Sequence, residues 1–243
     1  IRLNILNEYV DYFVIVEGNR TWQNNYKKLR FDIKKFQKFK DKIIYIPVED
    51  MPGGENPWIR ENFQRNCITR GLSNSNSEDL IIISDADEIP NLNNIKEYLK
   101  DKRYAVFKQK GFYYKLNMQN ITLPYWYGSR ICKKKYLKSP QWLRNKRFLR
   151  RGFLRRRFFK TQILKNGGWH FGFLKTPEDI SKKMKAYSHG EYSKLGDIDL
   201  IKKNIDMKKF FITPDKELLK VPIDESFPKF IRDNQKLLSE WII

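Results

Sequence analysis

Apolar residues along this chain come in short runs, and the runs differ in period. Tyr12-Phe13-Val14-Ile15-Val16 is continuous and ends at Glu17-Gly18-Asn19, which predicts a buried strand followed by a turn. Ile43 to Val48, Leu80 to Ile83 and Tyr104 to Phe107 predict three more strands. Between them the spacing turns helical. Phe31, Ile33, Phe36 and Phe39 recur near that period within Phe31 to Lys40, and Trp58 to Leu72 carries Phe63, Cys67 and Ile68 on one side. Asn91 to Lys100 predicts a further helix. Another starts at Pro177, with Thr176 as its N-cap and proline at the first helical position. Phe227 to Ile243 has the pattern of an amphipathic helix. Continuous apolar strands alternating with helices predict an α/β domain: a mostly parallel central sheet with helices on both faces. After residue 110 the pattern weakens, and no internal repeat is present.

Composition narrows the picture. With 243 residues, 40% of them hydrophobic and 15% aromatic, the chain can bury a sizeable core as one domain and is no disordered tail. No apolar run is long enough for a transmembrane helix. The two cysteines, Cys67 and Cys132, are far apart and lack metal spacing, so they read as reduced thiols in a cytoplasmic protein. The chain opens at Ile1 without a signal peptide, consistent with a start inside a longer protein.

Charge is unevenly spread. No acidic residue lies between Asp101 and Glu178, and those 76 residues hold 21 Lys and Arg. The remainder of the chain has 28 basic and 28 acidic residues, so the whole excess of +21 sits in this block. From Arg144 to Lys160 arginines alternate with Phe and Leu. Such a stretch suits nucleic acid, an anionic membrane surface or an anionic substrate, and the interleaved apolar residues favour contact with a membrane surface or lipid phosphate. A plain solvated basic face is the alternative.

In open parallel sheets ligands bind beyond the carboxyl ends of the strands. The strand Leu80 to Ile83 runs into Ser84-Asp85-Ala86-Asp87-Glu88-Ile89-Pro90. Two carboxylates at i and i+2 there can share a hard cation, Mg²⁺ or Mn²⁺, which would also hold substrate phosphates. Without a counter-ion the pair would repel. A turn carrying an Asp N-cap is the structural alternative. Asp197-Ile198-Asp199 repeats the motif but reads as a helix-initiating or surface pair. Both histidines stand in suggestive places: His170 among Gly and aromatic residues, and His189 after the helix that begins at Pro177. Each is a candidate metal ligand or diphosphate contact, or an ordinary structural histidine. Glu178 is a candidate general base, although an acid in a first helical turn is expected for the helix dipole alone. Glu17, at a strand end, could meet a nucleotide or form a salt bridge. Arg65 could reach a phosphate or pair with Glu61 at i,i+4.

The stretch Leu3 to Glu17 resembles the opening of glycosyltransferase family 17. Further matches follow in order: Arg60 to Asn66, Ile81 to Pro90, Gly168-Trp169-His170, Lys182-Lys183 and Ser188-His189-Gly190-Glu191. The resemblance implies a GT-A-like (Rossmann-like) fold, a UDP-sugar donor, a divalent cation (Mn²⁺ or Mg²⁺) and inversion at the anomeric carbon. It assigns residues 1–110 to the nucleotide-sugar half of a single domain. Residues 111–243, with the basic segment 130–165, form the acceptor side. By position, Asp85 and Asp87 look like the metal and diphosphate ligands, with His189 as a further metal ligand. Glu17, Arg65 and His170 are donor-side candidates, and Glu191 and Glu178 are candidates for the base. The implied activity moves N-acetylglucosamine or another hexose to a glycan or lipid-linked glycan. Family members with a membrane anchor work in the Golgi; this chain shows no anchor, which points to a bacterial or viral protein at the inner face of a membrane. A competing reading, a nucleic-acid-binding or nuclease-like protein built on the basic block, lacks any helix-turn-helix, zinc or RNA-recognition signature.

Overall fold

The protein is described by a computed structural model that covers residues 1–93, 95, 102–147, 161–185 and 195–243. Two expectations fall largely outside these residues: the helix at Asn91 to Lys100, and the Arg-Phe alternation over 148–160. His189 and Glu191 lie outside them as well.

The elements run as follows: α1 Arg2–Leu6, β1 Phe13–Gly18, β2 Ile43–Val48, α2 Pro57–Asn66, β3 Leu80–Ile83, β4 Glu88–Pro90, β5 Tyr104–Phe107, β6 Gln109–Tyr113 and β7 Met118–Asn120. They continue with β8 Tyr125–Trp126, β9 Arg130–Lys133, α3 Pro140–Arg144, β10 Thr161–Leu164, β11 Gly168–Gly172, α4 Pro177–Lys185, α5 Ile198–Asp206, β12 Lys209–Phe210, β13 Thr213–Lys220 and α6 Lys229–Asp233. The four expected strands form, as β1, β2, β3 and β5. Asn56 caps α2 by accepting from the Trp58 N–H at 3.0 Å, with Pro57 opening the helix. The expected helix there ends early, at Asn66, and continues as a 3₁₀ turn over Cys67–Gly71. Thr176 caps α4 through the Asp179 N–H, and Asp197 caps α5 through the Leu200 N–H at 2.8 Å.

The sheet arrangement corrects the expected fold. There is no mostly parallel, GT-A-like central sheet. The strands form a parallel pair β1-β2, a four-stranded sheet β10-β5-β9-β3, and a larger sheet β12-β13-β7-β6-β11-β4 with β8 attached to β6. Among the described residues only three pairings are parallel, namely β1 with β2, β10 with β5, and β11 with β6. The reason lies in the connections. A parallel pair needs a crossover of a dozen or more residues, whereas β6 reaches β7 through four residues and β12 reaches β13 through two, which suffices only for antiparallel neighbours. β3 is an edge strand whose one neighbour, β9, is antiparallel, and its Leu80 is exposed. Strands from both sides of residue 110 interleave, as β3 with β9 and β5 with β10.

Apolar burial follows these sheets. One core gathers Phe13, Ile89, Phe107, Phe112, Ile131 and Phe171 with Phe227 and Ile231 from the C-terminal segment. A second packs Tyr114, Ile180, Met184, Ile201 and Phe211 beneath α4 and α5. Each fully buried side chain of this size stabilises the fold by roughly 1.5–3 kcal/mol. The amphipathic helix expected over Phe227 to Ile243 is interrupted: α6 spans five residues, and a 3₁₀ turn follows at Ser239–Trp241. Asn234 stands at the break, and its side chain donates to the Phe230 carbonyl at 2.8 Å, competing with helix continuation.

Candidate active site

The turn between β3 and β4 carries Asp85, Asp87 and Glu88. It is clamped from below by Arg2 on α1, whose guanidinium donates to the Ser84 hydroxyl, the Asp85 carbonyl and the Glu88 carbonyl. On the other side β4 pairs antiparallel with β11, setting Glu88 opposite His170, and the Phe171 N–H donates to the Asp87 carbonyl at 2.8 Å. Both backbone anchors hold the two aspartates at the mouth of the strand.

The three acids differ sharply in their surroundings. Glu88 is fully buried. Arg144, in the last turn of α3, donates to it through both terminal nitrogens, at 2.8 and 2.6 Å. The Trp126 indole N–H donates to it at 2.7 Å, the Ser129 hydroxyl at 3.3 Å and the Asp85 N–H at 3.1 Å. Burial alone would raise its pKa, but the Arg144 charge and these donors hold it down to about 2. Gly128 makes the contact sterically feasible: a Cβ there would sit 2.0 Å from the Glu88 Oε1 and 2.3 Å from the Trp126 Nε1.

Asp85 is committed too. Its Oδ2 accepts from Arg144 at 2.8 Å and its Oδ1 from Arg65 at 3.2 Å. The counter-ion expected for the aspartate pair is thus partly internal. Arg65 also makes the expected i,i+4 pair with Glu61, at 3.1 Å. Arg144 comes from the acid-free block, placed by the Ser139 N-cap on Trp142 and by the Asn66 side chain on the Gln141 N–H at 3.0 Å.

Among the described residues, Asp87 is the carboxylate left open. Its nearest charged or titratable neighbours are the His170 Nε2 at 3.8 Å and the Lys183 Nζ at 3.9 Å, both too long for a hydrogen bond. His170 is buried and stacks on Trp126 with ring centroids 4.8 Å apart and an interplanar angle of 19°. Burial pushes its pKa below the usual imidazole value despite the Asp87 and Glu88 carboxylates, so the ring is neutral at pH 7. Among the described residues its Nδ1 has no hydrogen-bond partner. A hard cation fits this corner in donor type: Asp87 offers both oxygens, whereas Asp85 offers one only when a guanidinium lets go. Among the described residues no three His, Cys, Asp or Glu side chains gather as a ready-made metal cluster.

The remaining candidates stand elsewhere. The Glu17 carboxylate accepts from the Arg30 and Phe31 N–H groups, each at 2.9 Å, from Lys27 at 3.1 Å and from the Tyr45 hydroxyl at 3.2 Å. It ties residues 27–31 to the end of β1. Glu17→Ala should therefore cost about 1–3 kcal/mol by orphaning those donors, read as a lower urea midpoint. Lost donor affinity at unchanged stability would instead return Glu17 to the donor site. Glu178 is exposed in the first turn of α4 and faces Lys202 of α5 at 3.5 Å. Glu88, Arg144 and Trp126 are members of the site to which the sequence gave no role, and Lys183 stood there only as part of the family resemblance. Glu88 carried one signal: it directly follows the Asp-x-Asp pair and opens an apolar strand.

The family model of glycosyltransferase family 17 matches residues 1–208, which contain this whole corner. The chain belongs to glycosyltransferase family 17. Among its family 17 relatives are the beta-1,4-mannosyl-glycoprotein 4-beta-N-acetylglucosaminyltransferases of Mus musculus and Homo sapiens. Each is 25% identical over 228 residues, covering 82% of this chain and 42% of the relative. The chain thus spans less than half the length of the curated relatives it matches. No solved structure matches it.

Proposed function

We propose that this family 17 chain is a divalent-cation-dependent inverting glycosyltransferase. It moves N-acetylglucosamine or another hexose from a UDP-sugar to a hydroxyl of a glycan or lipid-linked glycan. The observation that carries the reading is the convergence of Arg65, Arg144 and Lys183 on the Asp85–Asp87 turn, around one carboxylate with open lone pairs. Such a corner suits a diphosphate and its cation better than it suits a neutral ligand.

Asp87 would hold the cation, with Asp85 beside it, and when bound that cation (Mn²⁺ or Mg²⁺) supplies neutralisation of charge on the departing nucleoside diphosphate. Arg65, Arg144 and Lys183 orient the two phosphates and oppose the negative charge that builds on the leaving oxygen. His170, neutral and pinned against Trp126, walls the corner and limits water. A carboxylate accepts the proton of the acceptor hydroxyl while that oxygen bonds to the anomeric carbon from the face opposite the diphosphate, whose bond to that carbon breaks. Because Glu178 is engaged by Lys202, the proposal assigns the base to Glu191. Glu191→Gln should lower kcat about 10²–10⁴-fold and Glu178→Gln only slightly, measured in a transfer assay. The reverse ranking would give the role to Glu178. The basic stretch after Arg144 is the reason to propose an acceptor at an anionic membrane surface.

A panel of nucleotide sugars with Mn²⁺ tests the reading. One member should raise Tm and be slowly hydrolysed. If none does and an oligonucleotide raises Tm instead, the nucleic-acid reading replaces it.

A further inference from the structure

Arg144 faces two carboxylates with different degrees of freedom. Its fork is locked on Glu88, which is 1% exposed, through both terminal nitrogens. The second proton of one of those nitrogens points outward to Asp85, whose side chain is 39% exposed. Only that outward bond can be surrendered without orphaning a buried charge. Asp85 in turn spends both oxygens on guanidinium groups, while among the described residues the nearest lysine or arginine nitrogen to Asp87 is the Lys183 Nζ at 3.9 Å. A cation approaching the turn meets Asp87 free but Asp85 already neutralised. A diphosphate approaching Arg144 meets a guanidinium already neutralised. Each ligand alone is therefore opposed by the Arg144–Asp85 pair, and both together are not.

Resting on the transferase reading, we propose that Arg144 is a diphosphate-binding residue held in reserve by Asp85, and that this exchange couples cation and diphosphate binding. On joint binding, Asp85 passes from the guanidinium to the cation, and the freed N–H of Arg144 passes to a phosphate oxygen. Glu88 keeps its two bonds throughout and acts as the pivot that holds the guanidinium in place. No charge is left unpaired at the end: two ion pairs replace one. Coupling of this kind is reciprocal, so the nucleotide must tighten the cation by the same factor.

Calorimetric titration of UDP, with and without saturating Mn²⁺, tests the exchange on the wild type, Asp85→Asn and Arg144→Lys. Thermal melts establish that each is folded. In the wild type Mn²⁺ should tighten UDP by about fivefold or more. Asp85→Asn keeps the shape but releases Arg144, so it should bind UDP in metal-free buffer several-fold more tightly than wild type and show far less coupling. Arg144→Lys, a point charge that cannot hold the Glu88 fork and an outward bond together, should also lose the coupling. Association of Mn²⁺ with UDP in solution is common to all three proteins and cancels in the comparison. The exchange is overturned if Asp85→Asn binds UDP no more tightly than wild type without Mn²⁺, or if coupling is equal in wild type and Arg144→Lys. If UDP binds none of the proteins in either buffer, the UDP-donor reading fails and takes the exchange with it.

Discussion

Asp87→Ala is expected to abolish sugar transfer and leave the fold intact. Among the described residues the Asp87 side chain makes no polar contact shorter than 3.8 Å, and its backbone carbonyl, which holds the Phe171 N–H, survives the substitution. Truncation at a partly exposed position with no bonds to lose should cost less than about 1 kcal/mol. The loss of function is of another size. The variant removes the one carboxylate at the turn whose oxygens are open, and with it the anchor for positive charge at the leaving group. Loss of a transition-state charge partner of this kind lowers rates by roughly 10²–10³-fold or more. Product formation measured beside a thermal melt separates the two effects. A stable and active Asp87→Ala protein would remove Asp87 from the site.

Glu88→Ala should have the largest effect on stability. It leaves the Arg144 guanidinium without its buried partner, and it orphans the Trp126 indole N–H. Breaking one side of a buried pair typically costs about 3–5 kcal/mol, and the remaining Asp85 contact places this site at the lower end. For a chain of this size that corresponds to a fall in Tm of roughly 6–12 °C. The acid dependence follows in sign. The folded pKa of Glu88 is depressed, from 4.5 to about 2. Its contribution is therefore fully present above the unfolded value and is lost as pH falls from about 4.5 towards 2. Urea unfolding at pH 7 and at pH 3 should show a steep loss in wild type. Glu88→Gln, which cannot titrate, should start lower and lose less over that interval. Parallel losses in the two proteins would show that Glu88 is not ion-paired as described.

The parts of the fold that were legible in the sequence are those decided locally. β1, β2, β3 and β5 are continuous apolar runs, and Thr176-Pro177 and Asp197 mark helix starts by side-chain capping. Sheet direction is not local. The expectation of a parallel sheet came from four strands, whereas most strands after residue 110 are two to five residues long, and the brief connections from β6 to β7 and from β12 to β13 impose antiparallel pairing. Arg60 shows the same limit: it is buried at 1% exposure, donating to the carbonyls of Trp22 and Gly54, which no pattern of its own helix announces.

The site divides in the same way. An acidic pair ending a buried strand can be seen in the sequence, and it directed attention to Asp85 and Asp87. What neutralises the pair cannot be seen there, because Arg65 and Arg144 approach from 20 and 59 residues away. The charge imbalance did hold a hint. A block without acids must send some of its cations to acids elsewhere, and Arg144 is the one that reaches Glu88. Repulsion between Asp85 and Asp87 therefore does not by itself require a metal, since guanidinium groups already offset the charge of Asp85.

Crystals grown with Mn²⁺ and UDP, with diffraction recorded at a wavelength sensitive to manganese, probe the central claim most directly. An anomalous peak should appear bonded to an Asp87 oxygen, with the diphosphate between it and Arg144. A nucleotide seated away from the β3–β4 turn, or manganese with no bond to Asp87, would contradict it.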